Sequence, residues 1–189
     1  LNERELIEGL RQGEEPAFRC LVEEYRNRIF HTVLNILQDR DEAEDAAQET
    51  FIQVFESIKN FKEESSLSTW IYRIATRKAL DKLRRRKTRG RLHQLLPWWM
   101  PQEKKGDEQG FQHPGIQAEN KEKAAVLFKA ISNLPEKQRV AFTLIKVQGM
   151  NYEEACKILE QNIKAVESLI TRARINLQKS LENYYNRSK

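Results

Sequence analysis

The sequence predicts an all-α chain of two small helical domains, a helical bundle and then a helix-turn-helix domain, joined by a flexible linker. Three observations carry that expectation. Apolar residues recur at three- and four-residue spacing through most of the chain, which lines one side of an α-helix. No stretch alternates apolar and polar residues for long, as a half-buried strand would. Helix breakers gather in one segment, where Gly90, Pro97, Pro101, Gly106, Gly110, Pro114 and Gly115 follow one another. The expected boundaries are 1–88 for the first domain, 89–117 for the linker and 118–189 for the second domain.

Leu1 to Arg11 reads as a short helix, which Gly13 and Pro16 interrupt before a longer one reaching Leu37. In the longer helix Phe18, Leu21, Val22, Tyr25, Ile29, Val33, Ile36 and Leu37 share a stripe, so it is a core helix, and Arg26 and Arg28 read as its solvated face, with phosphate contact as the alternative. Asp39 or Asp41 can cap a third helix through Ile58, with Ala43, Ala46, Ala47, Phe51, Val54, Phe55 and Ile58 on or near one side. Its acidic start suits the positive end of the helix dipole, which accounts for Glu42 and Glu44. Gln48, Glu49 and Ile52 carry the exposed side past that first turn. An acidic surface with an interleaved apolar residue suits a basic partner helix.

Asn60 to Ser66 is a polar connection with Phe61 as its anchor. The next stretch, Leu67 to Arg91, carries the densest positive charge in the chain. Ile71, Ile74, Ala75, Ala79 and Leu83 form its packing stripe, while Arg73, Arg77, Lys78, Lys82 and Arg84 fall largely off it. Ser66 or Ser68 can cap its first turn, and Gly90 marks its expected end. Dipole compensation explains one or two of Arg84, Arg85, Arg86 and Lys87, but not a run that continues to Arg89 and Arg91. Anion binding is the better reading, and Trp70 and Tyr72 could offer ring faces to bases.

The linker is polar apart from Leu95, Leu96, Trp98, Trp99 and Met100, a cluster expected to tuck against a neighbouring domain or else enter a partner groove. Beyond it, Ala124, Ala125, Leu127, Phe128 and Ile131 supply a core stripe, and Pro135 starts a helix expected to run to Gln148, with Gly149 ending it. Asn151 and Glu154 make a capping-box start for a short helix ending near Leu159. After Glu160 and Gln161, Asn162 can cap a long last helix striped by Ile163, Val166, Ile170, Ala173, Leu177 and Leu181. Short helix, tight turn and longer helix form a helix-turn-helix arrangement, with an ordinary helical hairpin as the alternative. Lys164, Ala165, Glu167, Ser168 and Thr171 lie where base edges would be met, and Arg172, Arg174 and Lys179 suit phosphate.

Net charge is +5 with a pI near 9.2, compatible with a polyanionic partner. The distribution says more. Acid is concentrated over 39–49 and base over 67–91, which implies two different partners. Cys20 and Cys156 stand singly and suit buried thiols in a reducing compartment. No run approaches a membrane span, and LNERELIEGL is not a signal peptide, so a cytoplasmic protein is expected. No convergent Ser/His/Asp, metal-ligand or phosphate-loop pattern occurs, so neither an enzyme nor a cofactor is expected.

Taken in order, FRCLVEEYRNRIFHTVLNIL, DEAEDAAQETFIQVFESIKNF and LSTWIYRIATRKALDKLRRRK resemble the core-binding and promoter-opening regions of extracytoplasmic-function (ECF) sigma factors, in the sigma-70 family. LPEKQRVAFTLIKVQGMNYEEACKILE and VESLITRARINLQ resemble that family's helix-turn-helix domain. The resemblance implies a transcription initiation factor that binds core RNA polymerase and directs it to promoters, against a free-standing helix-turn-helix regulator as the competing reading. Asp45, Gln48, Glu49, Phe51 and Ile52 would dock on the β′ clamp helices, with the β subunit as a further contact. The loop Asn60, Phe61, Lys62, Ser65, Ser66 and the following Trp70 would hold a base flipped from the minus-ten element. Arg73, Arg77, Lys78, Arg84, Arg85 and Arg86 would grip the adjoining promoter DNA. Asn162, Lys164, Ala165, Glu167, Ser168, Thr171, Arg172 and Arg174 would meet the minus-thirty-five element. The resemblance also suggests an anti-sigma factor as a partner. The sequence departs from the family's pattern at Glu160, where the turn usually carries Gly, and at Glu167 and Leu169, where basic residues are common. Glu167 can accept from cytosine but repels phosphate.

Overall fold

A computed structural model describes the backbone of residues 2–95 and 118–187, and the side chains of 2–89 and 123–182. Every described element is helical, as expected: α1 Glu3–Gln12, α2 Glu15–Leu37, α3 Arg40–Ser57, a 3-10 turn Ile58–Asn60, α4 Leu67–Leu95, α5 Ala118–Ser132, α6 Glu136–Phe142, a π turn Thr143–Val147, α7 Tyr152–Leu159 and α8 Ile163–Arg187. The apolar cluster at Trp98 and Trp99 lies outside the described residues.

Local chemistry sets the boundaries. Asn2 and Glu5 form a reciprocal capping box on α1, and Gly13 closes it in the left-handed conformation. Asp39 caps α3 by accepting from the Glu42 amide at 3.0 Å, and Ser66 Oγ accepts from the Thr69 amide at 3.2 Å in the first turn of α4. Asn151 with Glu154 forms the capping box of α7, and Asn162 Oδ1 accepts from the Ala165 amide at 2.9 Å on α8.

Two boundary expectations fail. Gly90 does not end α4, which continues to Leu95. One glycine inside a helix costs only about 1 kcal/mol relative to Ala, too little to stop propagation. The single helix expected from Pro135 to Gln148 is instead α6 followed by the π turn, in which the Gln148 amide reaches back five residues to the Thr143 carbonyl at 2.9 Å. The wider turn turns neighbouring side chains toward different cores. Leu144 joins the core of the first half, and Ile145 packs with Ala141, Ala155, Val166 and Ile170.

The relative placement of the halves is not readable from the sequence, and the structure packs them together. One continuous core gathers buried side chains from α1 to α4 and also takes in Val140, Leu144 and Ile158 from the second half. Tyr72, expected to show a ring face at the surface, is wholly buried in this core. Its hydroxyl finds a partner in the second half, Gln148, and the Arg28 guanidinium stands 5.7 Å from its ring centroid.

Candidate nucleic-acid and partner interfaces

Between α2 and α3 lies an open groove of about 730 Å³, walled by Phe18, Val22, Arg26 and Phe30 on one side and by Gln48, Phe51 and Ile52 on the other. Ala43, Ala46 and Ala47 are buried on the inner side of α3 together with Thr50, Phe51 and Val54. Phe51 is buried, whereas Ile52 is 50% and Phe55 55% exposed, with Phe18 edge-on to Phe55 at 5.4 Å. An exposed apolar side chain in the groove wall, Ile52, with the exposed Phe55 ring one turn on, suits a docking surface.

Of the five α3 residues singled out for docking, Gln48, Phe51 and Ile52 line this groove. Asp45 and Glu49 face α4, where Lys82 Nζ lies 3.8 Å and 3.0 Å from their carboxylates. The residues the sequence reading missed are on α2. Phe18 and Val22 were absorbed into its core stripe and Arg26 into its solvated face, although a stripe this wide exceeds what one packing face can bury.

The loop before α4 divides into anchors and outward groups. Phe61 is buried and stacks on Trp70, with ring centroids 4.9 Å apart and planes tilted by 33°. Ser66 shares its hydroxyl with the Thr69 side chain at 2.9 Å as well as capping the helix. Asn60 and Lys62 are exposed and Ser65 half-buried, so these three are presented outward beside the half-buried Trp70.

The basic face of α4 is partly paired within the fold. Arg77 binds Glu160, Arg84 lies 3.4 Å from Asp81, and Lys87 binds Glu136. Arg86 donates to Glu42 at 2.6 Å and to the Leu37 carbonyl at 3.3 Å, with Asp39 at 3.6 Å. Arg86 thus holds the acidic start of α3 from outside, whereas the sequence reading gave Glu42 to the helix dipole and Arg86 to DNA. Arg73, Lys78 and Arg85 make no ion pair among the described residues, and Arg85 is exposed.

In the second half α7, the turn 160–162 and α8 form the expected helix-turn-helix. Glu160 takes the left-handed conformation at φ 53°, the position where glycine is favoured. Val166, Ile170, Ala173 and Leu177 bury the inner side of α8, whereas Ile163, expected on that stripe, is the helix's first residue and is exposed. Lys164, Glu167, Thr171, Arg172 and Arg174 are exposed, and Ala165 and Ser168 half-buried, on the opposite side. Thr171 turns its hydroxyl back to the Glu167 carbonyl at 2.9 Å.

Comparison with known proteins agrees with this division. Residues 21–89 match the sigma-70 region 2 family, and residues 125–177 match sigma-70 region 4. The chain is 30% identical to the ECF RNA polymerase sigma-E factor of Haemophilus influenzae, over 96% of both chains. It belongs to the ECF sigma factors of the sigma-70 family. The RNA polymerase sigma-H factor of Pseudomonas aeruginosa is likewise 30% identical, over 95% of this chain and 94% of that protein. The fold is shared with CnrH, solved with the cytosolic domain of CnrY, at a TM-score of 0.69 and 22% identity, covering 96% and 97% of the two chains. It is shared too with the Bartonella quintana sigma factor RpoE, solved with the anti-sigma factor NepR, at 0.68 and 22%, covering 87% and 96%. As a sigma factor this protein is a transcription initiation factor. Its region 2 comprises most of α2, all of α3 and α4 to residue 89, and its region 4 runs from α5 into α8, while α1 lies outside both matches.

Proposed function

We propose that this sigma factor docks on core RNA polymerase through the α2/α3 groove and then uses three DNA contacts in sequence. The minus-thirty-five element is met by the outer face of α8, the flipped minus-ten base by Asn60, Lys62, Ser65 and Trp70, and the adjoining phosphates by Arg73, Lys78, Arg84 and Arg85. The observation that carries the reading is an exposed apolar groove and a helix-turn-helix on one chain whose two halves match two sigma regions. A free-standing DNA regulator has no use for the groove. The β′ clamp helices are the groove's partner in this account, with the β subunit meeting the second half. The domains are assigned as 1–88 and 118–189, and the protein acts in the cytoplasm without catalysis of its own.

Because the second half lies against α4 and Glu160 binds Arg77, promoter DNA reaches Arg77 only after the halves separate. An anti-sigma factor, such as the one named with the Bartonella quintana relative, would act on that same equilibrium. The test is co-elution with core polymerase on gel filtration, followed by permanganate reactivity of thymines at the promoter. Co-elution and strand opening that needs both proteins are expected. Opening without core, or no association with core, would refute the proposal.

A further inference from the structure

The loop assigned to the minus-ten base is held from outside by a helix that neither family match includes. Arg11, in the last turn of α1, donates from Nη2 to the Phe61 carbonyl at 2.7 Å and lies 2.8 Å from Glu63 Oε1. Glu3, in the first turn, accepts from the Leu67 amide at 2.7 Å. Leu67 is the first residue of α4, so a carboxylate from another helix satisfies one of the amides that a helix start leaves unpaired. One rigid element therefore grips the loop at its beginning, its middle and its end.

The grip matters because little else fixes the loop between Phe61 and Ser66. Glu63 sits in the left-handed region at φ 57°, a conformation that a residue with a Cβ avoids unless its surroundings hold it. The ion pair from Arg11 to the Glu63 carboxylate is the described contact that does so. α1 is itself firmly seated. Leu6, Ile7 and Leu10 are in the shared core, and a Cβ added to Gly9 would stand 2.9 Å from Ala17 Cβ on α2. Arg11 and Glu3 are eight residues apart, about 12 Å along the helix, which matches the need to reach both ends of one short loop.

We propose that α1 positions the promoter-reading loop, with Arg11 and Glu3 as positioning residues that set how strongly the initiation complex prefers one minus-ten base over another. This rests on the assignment of the flipped base to residues 60–66. Arg11 touches no DNA in this account. It keeps the Phe61 carbonyl and Glu63 fixed, so that Lys62 and Ser65 face the base in one arrangement, and loss of that arrangement lowers discrimination more than affinity.

The experiment uses holoenzyme assembled from the full chain and core polymerase. A promoter opened by the wild-type holoenzyme is varied to each of the four bases at each minus-ten position, and open-complex formation is followed by permanganate reactivity. Arg11→Ala should reduce the ratio between the best and the next base at one position by about fivefold or more, with Arg11→Lys recovering part of it and Glu3→Gln giving a smaller loss. Lys62→Ala with Ser65→Ala is run alongside and should reduce discrimination at the same position. Should the loop pair do so while Arg11→Ala leaves the ratio at the wild-type value, or lowers opening equally on every base, the positioning role is overturned. Should the loop pair also leave every ratio unchanged, the assignment of the base to this loop falls, and the proposal with it.

Discussion

The Tyr72 hydroxyl on α4 donates to Gln148 Oε1, just beyond the π turn, at 3.1 Å, and this bond joins residues 76 positions apart across the two halves of the chain. Around it Arg77 meets Glu160, Lys87 meets Glu136, and Val140, Leu144 and Ile158 enter the first core. The apolar contribution outweighs the ion pairs, which are largely exposed and worth little each. Leu144→Ala should therefore cost about 2–4 kcal/mol in denaturant unfolding and raise the radius of gyration in small-angle scattering as the halves part. Glu160→Ala should change either quantity far less.

The two neighbouring arginines of α4 should behave differently. Arg85 is exposed and unpaired among the described residues, so Arg85→Ala should leave stability within about 0.5 kcal/mol and lower the salt slope of promoter binding by about 1. Arg86 holds Glu42, Asp39 and the Leu37 carbonyl, so Arg86→Ala should lower thermal stability by about 1 kcal/mol with a smaller change in slope. Salt titrations of both variants check the contrast.

At the groove, Ile52→Asp should weaken association with core polymerase at least about tenfold while leaving the unfolding free energy nearly unchanged, since the side chain is half exposed before docking. Charge reversal at Glu49 is a less clean probe. It would place two cations together, because Lys82 lies 3.0 Å away.

Alkaline stability follows from the buried tyrosines. Burial pushes the Tyr72 hydroxyl above its ordinary value of 10.0, partly offset by Arg28, and burial together with Glu24 does the same to Tyr25. The folded chain holds these protons more tightly than the unfolded one. Their contribution is therefore complete below the ordinary tyrosine pKa and is lost as pH rises through the raised one. Tyr72→Phe should flatten that loss in urea unfolding measured across the alkaline range.

On α8, Glu167 is exposed on the face offered to DNA. Glu167→Gln should strengthen duplex binding several-fold at low salt and weaken any preference for cytosine opposite that side chain, as binding to base-substituted duplexes would report.

Much of this was legible in the residues. The stripe Ile71, Ala75, Ala79 and Leu83 foretold which side of α4 packs, and Asn151 with Glu154 foretold where α7 begins, because periodicity and caps are local. What was not legible depends on distant neighbours. Tyr72 looks like a surface aromatic until Gln148 and Leu144 arrive from the other half. Arg86 looks like one more DNA cation until the cap of α3 is seen beneath it. The π turn has no local signature, since it exists to let Leu144 and Ile145 serve two cores. The groove escaped notice because Phe18 and Val22 have the right spacing for a core they only partly enter.

The most direct test of the account is promoter-specific run-off transcription with purified core polymerase, with and without the full chain, on duplex promoter DNA. A transcript of defined start is predicted only when both proteins are present, and Ile52→Asp should require at least about tenfold more protein to give the same transcript level. Tight, specific duplex binding by the chain alone, with no association to core and no transcript from the mixture, would contradict it.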